Sequence, residues 1–255
     1  MSSSRSSTPD FPDGHDTTNT STTTSPPPDS NIDHAHSIAY WSDVPATVDG
    51  MLGGFPQVSR IDLQGSKSFL AKTKRLLSIP LHRNLKLSRG VDCGAGIGRV
   101  TEGFLRDVCE IVDAVEPVEK FARVLRKARD REGAVQGEVY TTGLESWCPE
   151  HEYDLIWVQW CAGHLTDEQL VGFVERCRGS LSGHGVMILK ENTTTEVQEG
   201  DVYDEEDSTV TRSHEKFMEL FEDAGMRVVS TELQLGFPKR LGLLPVRFYA
   251  LRPVD

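Results

Sequence analysis

The chain has 255 residues, 27 of them Lys or Arg against 39 Asp or Glu, for a formal net charge of -12. That length supports one medium α/β domain with a full hydrophobic core. The acidic balance argues against a nucleic-acid partner, which needs a basic surface, and suits cationic peptides or proteins; no apolar run is long enough for a membrane span or a secretory leader.

Residues 1–36 form a Ser/Thr/Pro/Asp tail that includes "TSTTTSPPPD". Such a composition buries too little apolar surface to offset its ordering entropy, so a disordered tail is expected, with the folded domain over 37–255. One arginine, Arg5, against five aspartates argues against a mitochondrial presequence. His34 and His36 have metal-pair spacing but no third ligand near, which favours histidines of the tail.

Order is expected from about Tyr40. "YWSDVPATVDGMLGG" reads as one or two helices with a tight turn, and "SKSFLAKTKRLL" as an amphipathic helix. Strand and helix then alternate. "VDCGAG" ends a strand and "IGRVTEGFLRDV" is a helix; "IVDAVEP" is a strand and "VEKFARVLRKARD" a helix. "GEVYTTGL" is a strand, "YDLIWVQWC" a long apolar strand, "TDEQLVGFVERCRGSL" a helix and "GVMILKEN" a strand. "SHEKFMELFEDAG" is a helix capped by Gly225, and "MRVVSTELQ" and "VRFYALRP" are the last two strands. This order predicts a mostly parallel sheet covered on both faces and closed by an antiparallel pair. The five cysteines are scattered, with no C-x-x-C pair, which predicts buried free thiols of a reducing compartment.

"DCGAGIGR" follows the first strand and opens a helix, so its glycines let backbone N–H groups approach a ligand. Glu116 ends the second strand, where a carboxylate can take both hydrogen bonds of a ribose diol. The spacing is G-x-G-x-G rather than G-x-G-x-x-G, and no G-x-x-x-x-G-K is present. Together these point to an adenosine ligand without a 2′-phosphate. The fold class predicted is Rossmann-like α/β, and the constellation resembles the class I S-adenosylmethionine-dependent methyltransferases. The alternative is a nucleotide-binding Rossmann domain of another kind.

Four stretches carry a narrower resemblance: "YWSDVPATVDGMLGG", "VDCGAGIGRV", "WVQWCAGHLTD" and "KENTTTEVQEGDVYDEEDSTVTR". They are similar to the eukaryotic protein N-terminal methyltransferases, which methylate the α-amine of chains beginning Xaa-Pro-Lys or Xaa-Pro-Arg. The resemblance runs from about Tyr40 to Arg252. It implies a seven-stranded sheet, an N-terminal helical addition and a C-terminal hairpin lid. Its cofactor, S-adenosylmethionine, would be held by Gly94, Gly96, Arg99, Glu116, Leu144 and Gln159, with Arg99 on the methionine carboxylate. Leu52, Gly53 and Gly54 would form a lid, and Trp160, Asn192, Asp204 and Asp207 the peptide channel. His164 and Asp207 would be the catalytic pair. No metal is implied. The resemblance implies ribosomal proteins as substrates; a monomer of the cytoplasm, with the nucleus as a second compartment, is expected.

The residues have plainer readings too. His164 could stand just outside a capping box made by Thr166 and Gln169, and the acidic run Asp201 to Asp207 could be a solvated loop. Trp147 reads as packing, Trp41 carries a weaker signal, and His82, His151, His184 and His214 read as surface or loop residues. Leu243, Leu244 and Pro245 stand where relatives often place a lid tyrosine, whose hydroxyl Tyr203 could replace. Phe55 likewise stands where a tyrosine is common, and Glu191 where Asp is. The alternatives of function are transfer to a small amine or side-chain nitrogen, or a non-catalytic scaffold binding cofactor and peptide.

Overall fold

A computed structural model describes residues 26–79, 86–130, 136–195, 197–198 and 200–254. His82 and the first 25 residues lie outside the described residues. Seven strands form one sheet: β1 (Leu87–Cys93), β2 (Cys109–Val115), β3 (Gln136–Tyr140), β4 (Tyr153–Gln159), β5 (Leu181–Asn192), and, after a separate hairpin of β6 (Val202–Asp204) and β7 (Thr209–Thr211), β8 (Met226–Leu233) and β9 (Val246–Pro253). The order is β3-β2-β1-β4-β5-β9-β8. The first five strands pair in parallel, and β9 runs antiparallel to both β5 and β8. The seven-stranded expectation therefore holds.

The helices are α1 (His34–Asp43), α2 (Val48–Met51), α3 (Ser59–Leu76), α4 (Arg106–Val108), α5 (Glu119–Arg129), α6 (Asp167–Gly179) and α7 (His214–Asp223). A π-wound stretch, Thr101–Leu105, leads into α4. Successive residues of β4 serve opposite faces, as strand geometry requires. Ile156 and Val158 pack with Phe173 of α6 and Phe217 of α7, while Leu155 and Trp157 pack with Phe69 of α3 and Phe104. The capping box at Thr166 and Gln169 forms as read. Gly225, at φ 68°, follows α7 as its left-handed cap residue.

Several expectations need correction. Residues 28–36 are not part of a disordered tail. Pro28–Asn31 form a 3₁₀ turn, and α1 begins at His34 with its N-terminus capped by Asp33. The segment is tied down: the Asp167 amide donates to Asp29 (2.8 Å) and the Asp33 amide to the Ser208 hydroxyl (2.7 Å). His34 bonds Gln169 (3.1 Å) and His36 the Glu206 carbonyl (3.1 Å), so neither is a loose tail residue. Cys148 is exposed and Cys161 half-buried, unlike the other three thiols. His214 is half-buried and bonds the Tyr249 hydroxyl at 3.0 Å. The acidic run spans β6 and the turn of the β6–β7 hairpin, which period-2 reading missed because each strand has three residues.

Candidate active site

The strand order reverses between β1 and β4, and a crevice opens beyond their carboxyl ends, where ligands of open α/β sheets bind. The glycine loop lies after β1, and Trp160 to His164 after β4. Gly94 and Gly96 are left-handed, at φ 69° and 56°. A Cβ on Gly94 would meet the Cys161 Cβ at 2.5 Å, and one on Gly96 the Met51 Sδ at 2.7 Å. Only glycine fits both demands.

All six expected cofactor residues, Gly94, Gly96, Arg99, Glu116, Leu144 and Gln159, line one cavity in this crevice. Glu116 accepts from the Gly96 amide (2.8 Å) and the Val118 amide (2.7 Å). A carboxylate has about four lone-pair sites, so two remain for a ribose diol. Burial pushes the Glu116 pKa up to about 7, against the lowering effect of those two amides. Asp92, which accepts from Thr101 at 2.6 Å, is pushed up to about 6 by burial.

Two cofactor assignments change in detail. Arg99 Nη1 donates to Asp62 at 2.7 Å, and the Gln159 amide donates to both Asp62 oxygens, at 3.0 and 3.1 Å. The Gln159 carbonyl takes the Trp157 indole N–H. Both side chains are therefore fixed from behind by a residue of α3 that sequence reasoning missed. A signal was available: Asp62 lies on the stripe of Ser66, Phe69, Leu70 and Thr73 that α3 buries. A carboxylate on the buried face of a helix needs a partner.

A second cleft, of about 510 Å³, is lined by Leu52, Gly53, Trp160, His164, Glu191, Asn192 and Asp207, with Leu241 to Leu244 from the connection between β8 and β9. Trp41, Met51, Trp160 and His164 line both spaces, so the cavity and the cleft share one wall. Trp160 adopts φ 55°, a left-handed backbone rare for a bulky residue. The buried indole nitrogens of Trp41 and Trp160 have no partner in the structure and stand ready as donors. Trp41 thus deserves more weight than its sequence signal gave, whereas Trp147 packs in the core.

His164 Nδ1 bonds the Ser37 hydroxyl at 2.8 Å, and the Ser208 backbone takes a second hydrogen bond from the ring. Burial, aided by the charge of His34, pushes its pKa down to about 4. Asp207 accepts from Thr209 at 2.6 Å. Burial first, and then the charges of Asp204 and Glu206, raise its pKa. Glu191 accepts from the Cys161 and Ala162 amides (2.7 and 2.8 Å), bracing the turn after β4, and burial pushes it up to about 7.

Two substrate assignments fall outside the cleft wall. Gly54 is exposed and serves the turn after α2 through its φ of 85°. Asp204 is exposed and accepts from the Glu206 amide at 2.9 Å, so the solvated-loop reading applies to it, with Asp207 the member of the run that lines the cleft. Tyr203 does not replace the lid tyrosine, because its hydroxyl bonds Ser208 Oγ at 3.1 Å and it is not part of the wall.

Residues 29–252 match the model of the family described as AdoMet dependent proline di-methyltransferase. The chain belongs to that family. It is 41% identical over 219 residues to the alpha N-terminal protein methyltransferase 1 of Drosophila melanogaster, covering 85% of this chain and 75% of that one. With the Schizosaccharomyces pombe protein of the same name, identity is 39% over 223 residues, covering 86% and 96%. The Xenopus laevis N-terminal Xaa-Pro-Lys N-methyltransferase 1-A is 38% identical over 203 residues, 79% and 88% of the two chains. Among solved structures, a SAM-dependent methyltransferase of Leishmania major superposes with a TM-score of 0.74 at 34% identity, over 86% and 82% of the chains. The methyltransferase therefore uses S-adenosylmethionine. The paired glycines, the Glu116 carboxylate with lone pairs to spare and Arg99 at the cavity wall fit that cofactor's adenosine and amino-acid ends.

Proposed function

We propose that this enzyme transfers methyl groups from S-adenosylmethionine to the α-amine of polypeptides beginning Xaa-Pro-Lys or Xaa-Pro-Arg. The observation that carries this reading is the shared wall of Trp160 and His164, where the cofactor cavity meets a cleft that contains Asn192 and Asp207. The names of the relatives support it. Ribosomal proteins with such termini, met in the cytoplasm by a monomeric enzyme, are the proposed substrates.

When bound, S-adenosylmethionine supplies an electrophilic sulfonium methyl. The attacking amine must be neutral, yet a free α-amine has a pKa of roughly 7.7–8.0 and is mostly protonated at pH 7. Asp207 meets that cation in the cleft. Its raised pKa makes it a stronger base than an exposed aspartate, so it both attracts the terminus and is a better acceptor of its proton. His164 is neutral at pH 7. The bond between its Nδ1 and the Ser37 hydroxyl fixes the ring as a wall against which the amine sits. Asn192 orients the peptide backbone, and the Trp160 ring offers a face to the second-position proline.

The test is mass spectrometry of a Ser-Pro-Lys peptide and its N-acetylated twin after incubation with enzyme and cofactor. Mass gain in 14-Da steps on the free peptide alone is expected. Gain on both peptides would move the reaction to the lysine side chain, and gain on neither would leave a scaffold.

A further inference from the structure

Beneath the cofactor cavity lies a cluster of buried charges that the proposed chemistry leaves unused. Asp62 and Lys190 have side chains with no exposed surface, and Arg99 is 8% exposed. The Lys190 ammonium bonds the Asp62 carboxylate, the Asp62 carbonyl (3.1 Å), Ser66 Oγ (3.1 Å) and Gln234 Oε1 (3.0 Å). An ammonium has three protons, so these four acceptors saturate it. Lys190 has no donor left for a ligand and serves as a lock on Asp62.

We propose that Asp62 is a positioning residue for the amino-acid end of the cofactor: locked by Lys190, its carboxylate holds the Arg99 guanidinium and the Gln159 amide in place at the cavity wall. The inference rests on the cofactor reading above and deepens it.

Three observations carry it. First, one buried anion, Asp62, pairs with both Arg99 and Lys190, and the buried Asp92, whose carboxylate accepts from Thr101, also feels the charge of Arg99. Among the described residues Arg99 has no second ion pair, so its remaining N–H groups are left for a ligand carboxylate. Second, Arg99 gives only Nη1 to Asp62. A guanidinium has five N–H donors in a rigid fork, so one edge is anchored while others face the cavity. Anchoring removes rotamer freedom before the ligand arrives, which lowers the entropy cost of binding. Third, the Arg99 Cζ lies 5.5 Å and the Lys190 Nζ 5.7 Å from the Trp160 ring centroid. The cluster thereby also supports the left-handed residue on the shared wall.

The experiment is calorimetric titration of wild type and Asp62→Asn with two ligands, S-adenosylhomocysteine and 5′-methylthioadenosine. They share the adenosine, but only the first has the amino-acid carboxylate. Asp62→Asn is expected to weaken S-adenosylhomocysteine by about tenfold or more and 5′-methylthioadenosine by less than about twofold. Equal losses on the two ligands would mean that Asp62 merely supports the fold, and no loss on either would mean that Arg99 needs no anchor; each result overturns the proposal. Because Asp62→Asn strands a buried lysine, Asp62→Asn/Lys190→Met removes the pair together and is expected to show the same split; if the single variant does not fold, the double decides. No peptide enters this measurement. The expected split with an unmodified Ser-Pro-Lys peptide would sink the substrate reading alone, whereas wild-type protein that binds neither ligand would sink this proposal together with the cofactor reading.

Discussion

The cofactor cavity and the peptide cleft share a wall but are built differently. The cavity is built on the carboxyl ends of adjacent parallel strands, from a glycine loop, Glu116 and the turn after β4, and is also lined by His34, Ser37, Ile38 and Trp41 of α1. At the glycine loop its shape is set by backbone, and a substitution there acts through sterics. The cleft is assembled from remote pieces: α1, the turn after α2, the end of β5, the β6–β7 hairpin and the connection before β9. Its shape is set by side chains, and a substitution there acts through chemistry. The contrast says that cofactor binding and turnover can be damaged separately, which variants can test.

The largest expected effect is on the cavity. Gly94→Val forces a β-branched residue into φ 69° and drives its Cβ against Cys161. A left-handed backbone alone costs roughly 1–2 kcal/mol, before the clash. Loss of S-adenosylhomocysteine affinity by ~100-fold or more is expected in calorimetry. Near-normal affinity would mean that the loop is set by its surroundings rather than by its glycines.

The cleft variants come next. Asp207→Ala and His164→Ala are each expected to lower turnover by ~100-fold or more while cofactor affinity stays nearly intact. The measurement pairs steady-state methyl transfer with cofactor titration. For His164 the separation is a sharp test, because the ring also lines the cavity and Ser37 holds it. A variant that loses cofactor as well would show that the shared wall acts as one unit.

The same contrast explains what could be read from the sequence. The glycine loop, Glu116 and the alternation of strands and helices are local patterns with a physical meaning, so the mostly parallel sheet with its antiparallel end and the cofactor loop were legible, whereas the strand order and the α1 side of the cavity were not. The cleft was legible only through resemblance, because Leu52, His164, Asn192 and Asp207 come from separate segments. Its errors have local causes. Asp204 ends β6 and Asp207 lies three residues on in the hairpin turn, and composition does not say which of them lines the cleft. Residues 28–36 offer only Pro28, Ile32 and Ala35 as apolar side chains and are held chiefly by polar contacts to Ser208 and Asp167, which no periodicity signals. Asp62 had a signal in its place on the buried stripe of α3, but its partners Arg99, Gln159 and Lys190 lie in remote segments.

Titration should separate the two regions by sign. Glu116, in the cavity, has a folded pKa of about 7, above its free value of 4.5. Its contribution to stability is fully present below the free value and is lost as pH rises through about 7. His164, in the cleft wall, has a folded pKa of about 4, below its free value of 6.5. Its contribution is present above pH 6.5 and is lost as pH falls through 4. In ligand-free thermal melts, Glu116→Gln should therefore gain on wild type by about 7 °C between pH 5 and 8, and His164→Gln should gain by a similar amount between pH 7 and 4.5. Parallel trends in the two variants would contradict the burial that drives both shifts.

The smallest effect concerns a tyrosine that lies beside the cleft without lining it. The Tyr203 hydroxyl bonds Ser208 Oγ, which also takes the Asp33 amide at 2.7 Å. This chain ties the hairpin to the segment that leads into α1, and α1 brings Ser37 to His164. Tyr203→Phe removes one link without touching the cleft wall. A stability loss of about 1 kcal/mol, seen as a melting temperature lower by about 3 °C, is expected, with turnover and peptide KM within about twofold of wild type. A peptide KM raised tenfold at unchanged stability would instead make Tyr203 the missing lid hydroxyl. The hairpin would then have to turn when peptide binds, freeing Ser208, and the cleft would be shaped by its substrate rather than beforehand.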